Sequence, residues 1–169
     1  DRPITRIGLG TNRLRQTPEN VAFIRAAVAA GIQLIDTAHL YTDGESERTI
    51  GASLSPAPPA CLVATKGGFG GAGHGRPEVL RREIEESLHR LRTDCLGLYY
   101  LHRVGPGVPI EETWGAMAEL VAEGKALALG VSEVTVEELD RAAAVDPVAA
   151  LQSELSIWNR EPAAEVLPW

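Results

Sequence analysis

The segment Leu96-Gly97-Leu98-Tyr99-Tyr100-Leu101-His102 decides the fold class, because a nearly unbroken apolar run ends in one imidazole. A short, continuous apolar run is typical of a strand that is buried on both faces of a sheet. Such strands occur in parallel sheets covered by helices, which predicts an α/β protein. The histidine would then lie at the carboxyl edge of the sheet.

The same pattern, an apolar run closed by a polar side chain, recurs on both sides of this segment. Earlier runs close at Asp36 and Lys66, and later runs close at Ser132 and Gln152. With a first run near Ile4, the strand candidates are spaced by about 30 residues, the length of a strand-helix-strand unit. In a parallel barrel the closing residues gather at one rim, where barrel enzymes place their active sites. The strand candidates begin near Ile4, Ile32, Cys61, Leu96, Ala126 and Ala149.

Helical segments with recognisable ends separate the strand candidates. The first begins at Pro18 and stops at Gly31, and others follow Pro77, Pro109 and the capping box Thr135–Glu138. Their apolar stripes predict helices that pack on the sheet. The stripes are Val21, Ile24 and Val28, then Leu80, Ile84, Leu88 and Leu91, then Trp114, Met117 and Val121.

Two parallel architectures fit this alternation, an open doubly wound sheet and a barrel. A doubly wound nucleotide-binding fold concentrates its chemistry at one switch point, whereas here successive strand ends all contribute polar groups. We therefore predict a (β/α)8 TIM barrel, which needs eight units and roughly 250 residues. About six units fit into 169 residues, and Val166–Trp169 continues a helical pattern. We expect one barrel domain over residues 1–169, truncated at its C-terminus.

Composition excludes several classes of function. An apolar fraction of 44% with 23% charged residues is that of an ordinary globular protein. The net charge of -7 disfavours a nucleic-acid partner, and the sequence lacks an apolar run long enough for a membrane helix. Cys61 and Cys95 have neither the spacing of a zinc site nor that of a disulfide scaffold. We expect a cytoplasmic protein without a metal.

Three short segments, Asp36–Tyr41, Thr65–Gly67 and Tyr100–Arg103, resemble the catalytic segments of the aldo-keto reductase family. The order of strands, helices and loops matches that family from Ile4 to Trp169. The resemblance implies a catalytic tetrad beside a nicotinamide dinucleotide, formed by Asp36, Tyr41, Lys66 and His102.

The resemblance also implies a separate role for each member of the tetrad. Tyr41 would be the general acid that protonates the carbonyl oxygen, although a free phenol with a pKa near ~10 is a poor donor at neutral pH. Lys66 would raise its acidity, and Asp36 would keep that lysine charged. His102 would orient the substrate oxygen. Taken singly, each residue also suits a structural role, such as a cap, a packed aromatic ring, a surface charge or a core histidine.

The cofactor implied is NADPH/NADP+, with NADH as the alternative. Many family members carry Asn where this chain has Glu133, so one contact to the nicotinamide carboxamide differs. The family's groups for the 2'-phosphate follow the seventh and eighth strands, which are not among residues 1–169. The matching cofactor positions are Gly10, Thr11, Asn12, Asp36, Ser132 and Gln152.

The glycines in Gly68–Gly73 spell G-x-G-x-x-G after a strand, a pattern that suggests a dinucleotide fingerprint. We reject it, because the helix begins only at Pro77, outside the glycines. We predict instead a loop beside the substrate entrance, with His74 at the surface. His39 is predicted to be an exposed loop residue, and His89 to lie on the solvent side of the helix that follows Pro77.

The leading functional hypothesis is an NAD(P)H-dependent oxidoreductase that reduces aldehydes or ketones, with a small carbonyl compound as its substrate. One alternative is a cofactor-sensing regulatory subunit of the same fold with little turnover. Another is an aldolase that uses Lys66 as a Schiff-base nucleophile. Residues 1–169 alone are expected to show weak activity or none.

Overall fold

A computed structural model describes residues 4–169, in which six parallel strands alternate with helices. The strands are β1 (Leu9–Gly10), β2 (Leu34–Asp36), β3 (Leu62–Gly67), β4 (Leu98–Leu101), β5 (Leu129–Ser132) and β6 (Ala150–Gln152). The helices are α1 (Pro18–Ala29), α2 (Glu45–Leu54), α3 (Pro77–Leu91), α4 (Ile110–Ala122), α5 (Val136–Ala143) and α6 (Glu161–Ala164), and a 3-10 turn spans Tyr41–Gly44.

The strands pair in chain order from β1 to β6, and every pairing is parallel. The order never reverses, so the sheet has no switch point and the doubly wound alternative is excluded. Asp36 pairs with Ala64, two residues before Lys66, and Lys66 pairs with Tyr100, two residues before His102. This stagger belongs to a curling sheet. The sheet is a curled half-barrel, a partial (β/α)8 fold, as predicted.

Most of the hydrophobic core lies between the convex face of the sheet and the helices. The predicted stripes supply it, because Ile24, Leu80, Ile84, Trp114 and Met117 are all fully buried. A smaller cluster of Ala64, Leu98 and Tyr100 occupies the concave face. The helix starts also agree with the sequence. Thr17 caps α1 by accepting from the Asn20 N–H, and Thr135 with Glu138 forms the capping box of α5.

Two predicted boundaries are wrong. The first strand begins at Leu9 and not near Ile4, because the Thr5 N–H donates to the Gln33 side chain instead of a strand carbonyl. The last helix ends at Ala164, so Val166–Trp169 is not helical. Within residues 4–169, no helix combines the length and apolar character that crossing a bilayer requires.

Candidate active site

The ends of β2 and β3 join three of the predicted catalytic groups around one ammonium. Lys66 lies near the end of β3, and its side chain is 1% exposed. Its Nζ donates to Oδ2 of Asp36 at 2.7 Å and to the carbonyl oxygen of Thr37 at 2.8 Å. The same nitrogen lies 3.4 Å from Oη of Tyr41. The ammonium therefore connects the carboxylate that ends β2 with the phenol that follows it.

The partners of Asp36 stabilise the charged form of this ion pair. Burial lowers the pKa of Lys66, and the Asp36 carboxylate opposes that shift. The second carboxylate oxygen, Oδ1, accepts from Nε2 of Gln152 at 3.0 Å. Gln152 ends β6, so its side chain bridges the concave face from the far edge of the sheet. The carboxylate is thus hydrogen-bonded through both of its oxygens.

A strained turn holds Tyr41 in position. Thr42 and Asp43 have φ values of 48° and 54°, in the left-handed region that residues other than glycine seldom adopt. Oγ1 of Thr42 donates to the carbonyl oxygen of Leu14 at 2.7 Å, which ties the turn to the loop after β1. Strain of this kind persists only where the surroundings enforce it, and it clusters at functional sites.

The pKa of Tyr41 moves in the opposite direction to the sequence prediction. Burial raises this pKa, the Asp36 carboxylate raises it further, and the Arg103 guanidinium opposes both. We predicted that Lys66 would lower it. Because Asp36 lies only 2.7 Å from the ammonium, the charge of Lys66 is largely balanced and burial prevails. The phenol therefore keeps its proton at neutral pH, which is the state that a proton donor needs.

His102, which follows β4, completes the cluster. Its ring lies edge-on to the Tyr41 ring, with the centroids 5.8 Å apart and the planes at 82°. Burial lowers the pKa of His102 to about 3, and the nearby charges of Lys66 and Arg103 add to that shift. The imidazole is therefore neutral and carries a single N–H. Among residues 4–169, no group forms a hydrogen bond with its buried Nδ1.

Two further residues line this site that the sequence analysis did not assign. Phe69 in the glycine loop packs on His102, with the ring centroids 4.8 Å apart. Nη1 of Arg103 donates to the carbonyl oxygen of His102 at 2.6 Å and to Oγ of Ser132 at 3.0 Å. The signal for Arg103 was its place directly after a strand-closing residue. Phe69 was the one aromatic residue in a loop predicted to border the substrate entrance.

The residues proposed to hold a nicotinamide carboxamide lie at neighbouring strand ends. Ser132 pairs in register with Gln152. The Ser132 hydroxyl accepts from Arg103, so its own proton remains available, and the Gln152 amide can both donate and accept. A hydroxyl and an amide side by side match the donor and acceptor of a carboxamide. Glu133, the departure from the family pattern, is exposed, and its Oε1 accepts from the Glu154 N–H at 2.7 Å.

The three predicted cofactor residues at the end of β1 and in the loop after it differ in their exposure. Thr11 is buried, and its Oγ1 donates to the carbonyl oxygen of Asp36 at 2.8 Å and accepts from Ser46. Its hydroxyl therefore anchors the loop to β2. Gly10 and Asn12 are exposed and accessible to a ligand.

Three other histidines test the predictions of exposure. His89 is exposed, as predicted. His39 is not a free loop residue, because its Nε2 is 2.7 Å from Oε2 of Glu86 and its side chain is only 20% exposed. His74 is half-buried under Gly70 and not at the surface. The helix after the glycine loop begins at Pro77, which confirms the rejection of a dinucleotide fingerprint.

Comparison with known sequences identifies related proteins over most of the chain. The model described as "Aldo/keto reductase family" matches residues 6–169. The "Probable aldo-keto reductase 1" of Glycine max is 37% identical over 160 residues, which cover 90% of this chain and 46% of that protein. The aldo-keto reductase str7 of Strobilurus tenacellus is 47% identical over 141 residues, 82% of this chain and 41% of that protein. The chain thus spans less than half the length of these two relatives.

Solved structures agree with the sequence comparison. The glycerol dehydrogenase from Gluconobacter oxydans superposes with a TM-score of 0.89 at 34% identity, covering 99% of this chain and 57% of that one. An aldo/keto reductase from Klebsiella pneumoniae, in complex with NADP and acetate, gives a TM-score of 0.86 at 31% identity, covering 98% and 60%. Because the family model matches residues 6–169, nearly all of this chain, the chain belongs to the aldo/keto reductase family.

Proposed function

We propose that the protein is an NADP(H)-dependent oxidoreductase that reduces aldehydes or ketones to alcohols, with NAD(H) as the alternative cofactor. One observation carries the proposal: a buried ammonium contacts both a carboxylate and a phenol at the rim of the half-barrel. The family uses nicotinamide cofactors, and two similar structures from Klebsiella pneumoniae contain NADP and NADPH. No metal is invoked.

The proposed proton donor is Tyr41. A substrate carbonyl oxygen lies within reach of both Oη of Tyr41 and the neutral ring of His102. When bound, the reduced nicotinamide supplies the hydride that the carbonyl carbon accepts. The carbonyl oxygen takes the proton of Tyr41, which leaves a phenolate beside the Lys66 ammonium. Solvent then restores the proton to the phenolate.

The neutral state of His102 suits the role of orienting the substrate. An imidazole with a pKa of about 3 does not compete with Tyr41 as the acid at neutral pH. Its N–H can donate to the substrate oxygen and stabilise the negative charge that develops there. Ser132 and Gln152 would hold the nicotinamide carboxamide, and the loop at Gly10–Asn12 would border the ribose.

An aldolase mechanism is less compatible with this geometry. A Schiff-base lysine must be neutral and accessible in order to attack a carbonyl. Lys66 is 1% exposed and held in an ion pair of 2.7 Å with Asp36. The ion pair favours the charged amine, which is not a nucleophile.

Substitution of Tyr41 by Phe tests the proposal. In the natural gene product, Tyr41→Phe removes only the acidic oxygen and should lower kcat by about 10²- to 10⁴-fold, the usual contribution of a general acid. The dissociation constant for NADP+ should stay within a factor of about three. The measurement is NADPH oxidation with a neutral aromatic aldehyde.

Tyr99 provides a matched control. It is fully buried on the face of β4 that packs against the helices, away from the site on the concave face. Within residues 4–169 its Oη has no hydrogen-bond partner. Tyr99→Phe should therefore retain kcat. Full activity of Tyr41→Phe would contradict the proposal.

A further inference from the structure

Arg103 places a guanidinium between His102, in the proposed catalytic cluster, and Ser132, in the proposed site for the nicotinamide carboxamide. Nη1 donates to the carbonyl oxygen of His102 at 2.6 Å and to Oγ of Ser132 at 3.0 Å. Cζ lies 6.0 Å from the centroid of the Phe69 ring, which itself packs on His102. The guanidinium is therefore held by a hydroxyl, a carbonyl oxygen and a ring face, none of which carries a negative charge.

The positive charge of Arg103 has no counter-charge in the described chain. Within residues 4–169, no carboxylate forms an ion pair with it. The acidic neighbour of Ser132, Glu133, uses Oε1 to accept from the Glu154 N–H instead. This is unusual in a protein with a net charge of -7. Partly buried charges are normally paired.

The unbalanced charge acts on the catalytic groups. It contributes to lowering the pKa of Lys66 and of His102, and it opposes the upward shift of the Tyr41 pKa. All three effects have the sign of an uncompensated cation close to the site. Lys66 differs, because Asp36 already neutralises it. An anion that enters the site would therefore find one unpaired cation, the guanidinium of Arg103.

Within residues 4–169, the guanidinium forms two hydrogen bonds, and both use Nη1. A guanidinium has five N–H donors in a planar fork, so Nε and Nη2 remain available for a carboxylate. The Phe69 ring lies next to the guanidinium and packs on the ring of His102, on the side of the site where the substrate carbonyl is proposed to lie. A substrate group is therefore a better match for the fork than a phosphate of the cofactor.

We propose that Arg103 determines substrate specificity by binding a carboxylate of the substrate, so that the preferred substrates are aldehydes or ketones carrying a carboxylate. The inference rests on the proposed function. A competing role for Arg103 is structural: it orients Ser132 and thereby the cofactor carboxamide. The two roles differ in one measurable respect, because a positioning residue affects charged and neutral substrates equally.

The experiment compares 4-carboxybenzaldehyde with its neutral methyl ester in the natural gene product at saturating NADPH. The wild type should show a kcat/KM for the acid about 10- to 100-fold above that for the ester, the usual contribution of a charge-assisted hydrogen bond. Arg103→Leu should abolish this preference, so that the ratio of kcat/KM for the acid to that for the ester falls to about one, because the acid loses about 10- to 100-fold more activity than the ester does. Arg103→Lys should retain most of the preference. The control is Arg82→Leu, which removes one exposed charge on α3 and should leave the preference unchanged.

A binding measurement separates this inference from the proposed function. Calorimetric titration of 4-(hydroxymethyl)benzoate, the expected product, should give a dissociation constant about 10- to 100-fold higher for Arg103→Leu than for the wild type. If the wild type reduces neither aldehyde, the proposed function fails and this titration alone decides the inference. Equal losses for acid and ester in Arg103→Leu would overturn it. If Arg103→Leu raised the dissociation constant for NADP+ but left the preference for the acid unchanged, the inference would also be overturned. The guanidinium would then be assigned to cofactor binding.

Discussion

Two adjacent residues of β3 lead to two different kinds of buried charge. Lys66 points into the concave face, where it forms the inner pair with Asp36 at 2.7 Å. Thr65 points to the helices, where its Oγ1 donates to Oε1 of Glu47 at 2.6 Å. Glu47 is fully buried and lies 3.3 Å from Arg90. The alternation of a strand thus sends one chain of polar contacts inward and another outward.

The second group of charges, the outer network, consists of His39, Glu47, Glu83, Glu86 and Arg90. Glu83 accepts from the backbone N–H of Gly68 at 2.7 Å. Arg90 donates to the carbonyl oxygen of His39 at 3.0 Å and to Glu86 at 3.1 Å. The outer network therefore fixes the backbone of the two loops that carry Tyr41 and Phe69.

The comparison teaches that burial of a charge does not by itself mark an active site. The charges of the outer network are bonded to backbone groups and to each other, so the network acts as a scaffold. The inner pair instead contacts a protonated phenol at 3.4 Å, next to a neutral imidazole at the rim of the sheet. Contact with a group that can donate a proton, and not buried charge alone, distinguishes the proposed catalytic side of the sheet.

The largest expected effect is loss of activity without loss of stability on breaking the inner pair. Lys66→Met should lower kcat by about 10²- to 10⁴-fold, because the phenolate left by proton transfer loses its ammonium. The free energy of unfolding should fall by less than about 1 kcal/mol, because the variant no longer buries an ammonium. Asp36 remains hydrogen-bonded to Gln152 and is 20% exposed.

Two measurements check this expectation for Lys66→Met: the rate of NADPH oxidation and urea unfolding. A stability loss of about 4 kcal/mol, as for other broken buried ion pairs, would show that the inner pair is part of the scaffold.

The next effect is a pH dependence of stability that originates at His102. Its folded pKa of about 3 lies below the ordinary value of 6.5, so between these pH values the unfolded chain binds a proton that the folded chain does not. The free energy of unfolding should therefore fall as the pH drops from 6.5 towards 3, by about 5 kcal/mol at most. Above pH 6.5 this contribution should be constant.

Urea unfolding between pH 4 and pH 7 provides the test. His102→Gln should reduce the slope by about 1.4 kcal/mol per pH unit, the value for one proton. The exposed His89 is the matched control, since His89→Gln should leave the slope unchanged. Identical slopes in the wild type and His102→Gln would mean that the imidazole is not held neutral.

The inner side of the sheet was readable from sequence, because parallel strands deliver their closing residues to one rim. Asp36, Lys66 and His102 each end an apolar run, and the structure brings all three together. The bounds of α2 were not readable. Its buried face includes Ser46, Glu47 and Thr49, so the helix lacks the apolar stripe that reveals the other long helices.

The outer network could not be predicted from the sequence either, because its contacts join residues that are far apart in the chain. His39 looked like an exposed loop residue, and the glutamate that binds it, Glu86, lies 47 positions away on α3. The direction of the Tyr41 pKa shift also depends on three-dimensional distances, since the balance between Asp36 and Lys66 follows from their separation of 2.7 Å. Pairings of this kind depend on packing between elements, which no local pattern encodes.

A smaller effect is expected from the centre of the outer network. Glu47→Gln keeps an acceptor for Thr65 but leaves Arg90 without its buried partner, so the variant should lose about 2 kcal/mol of unfolding free energy. Arg90 keeps Glu86, which limits the loss. The kcat of the folded variant should stay within about twofold of the wild type. Urea unfolding and steady-state kinetics at 25 °C measure the two quantities, and a large fall in kcat at unchanged stability would place Glu47 in the catalytic machinery.

The smallest effect is expected at the solvent side of the outer network. Glu86 has a 41% exposed side chain, although it lies 2.7 Å from His39 and 3.1 Å from Arg90. Exposed ion pairs contribute little, so Glu86→Gln should lose less than about 1 kcal/mol of unfolding free energy. Glu47→Gln, measured in the same urea series, is the internal reference. If the two variants were equally destabilised, the number of ion pairs and not their burial would set the strength of the scaffold. A clearly larger loss of unfolding free energy for Glu47→Gln would show that burial of the charge next to β3 sets the strength of the scaffold.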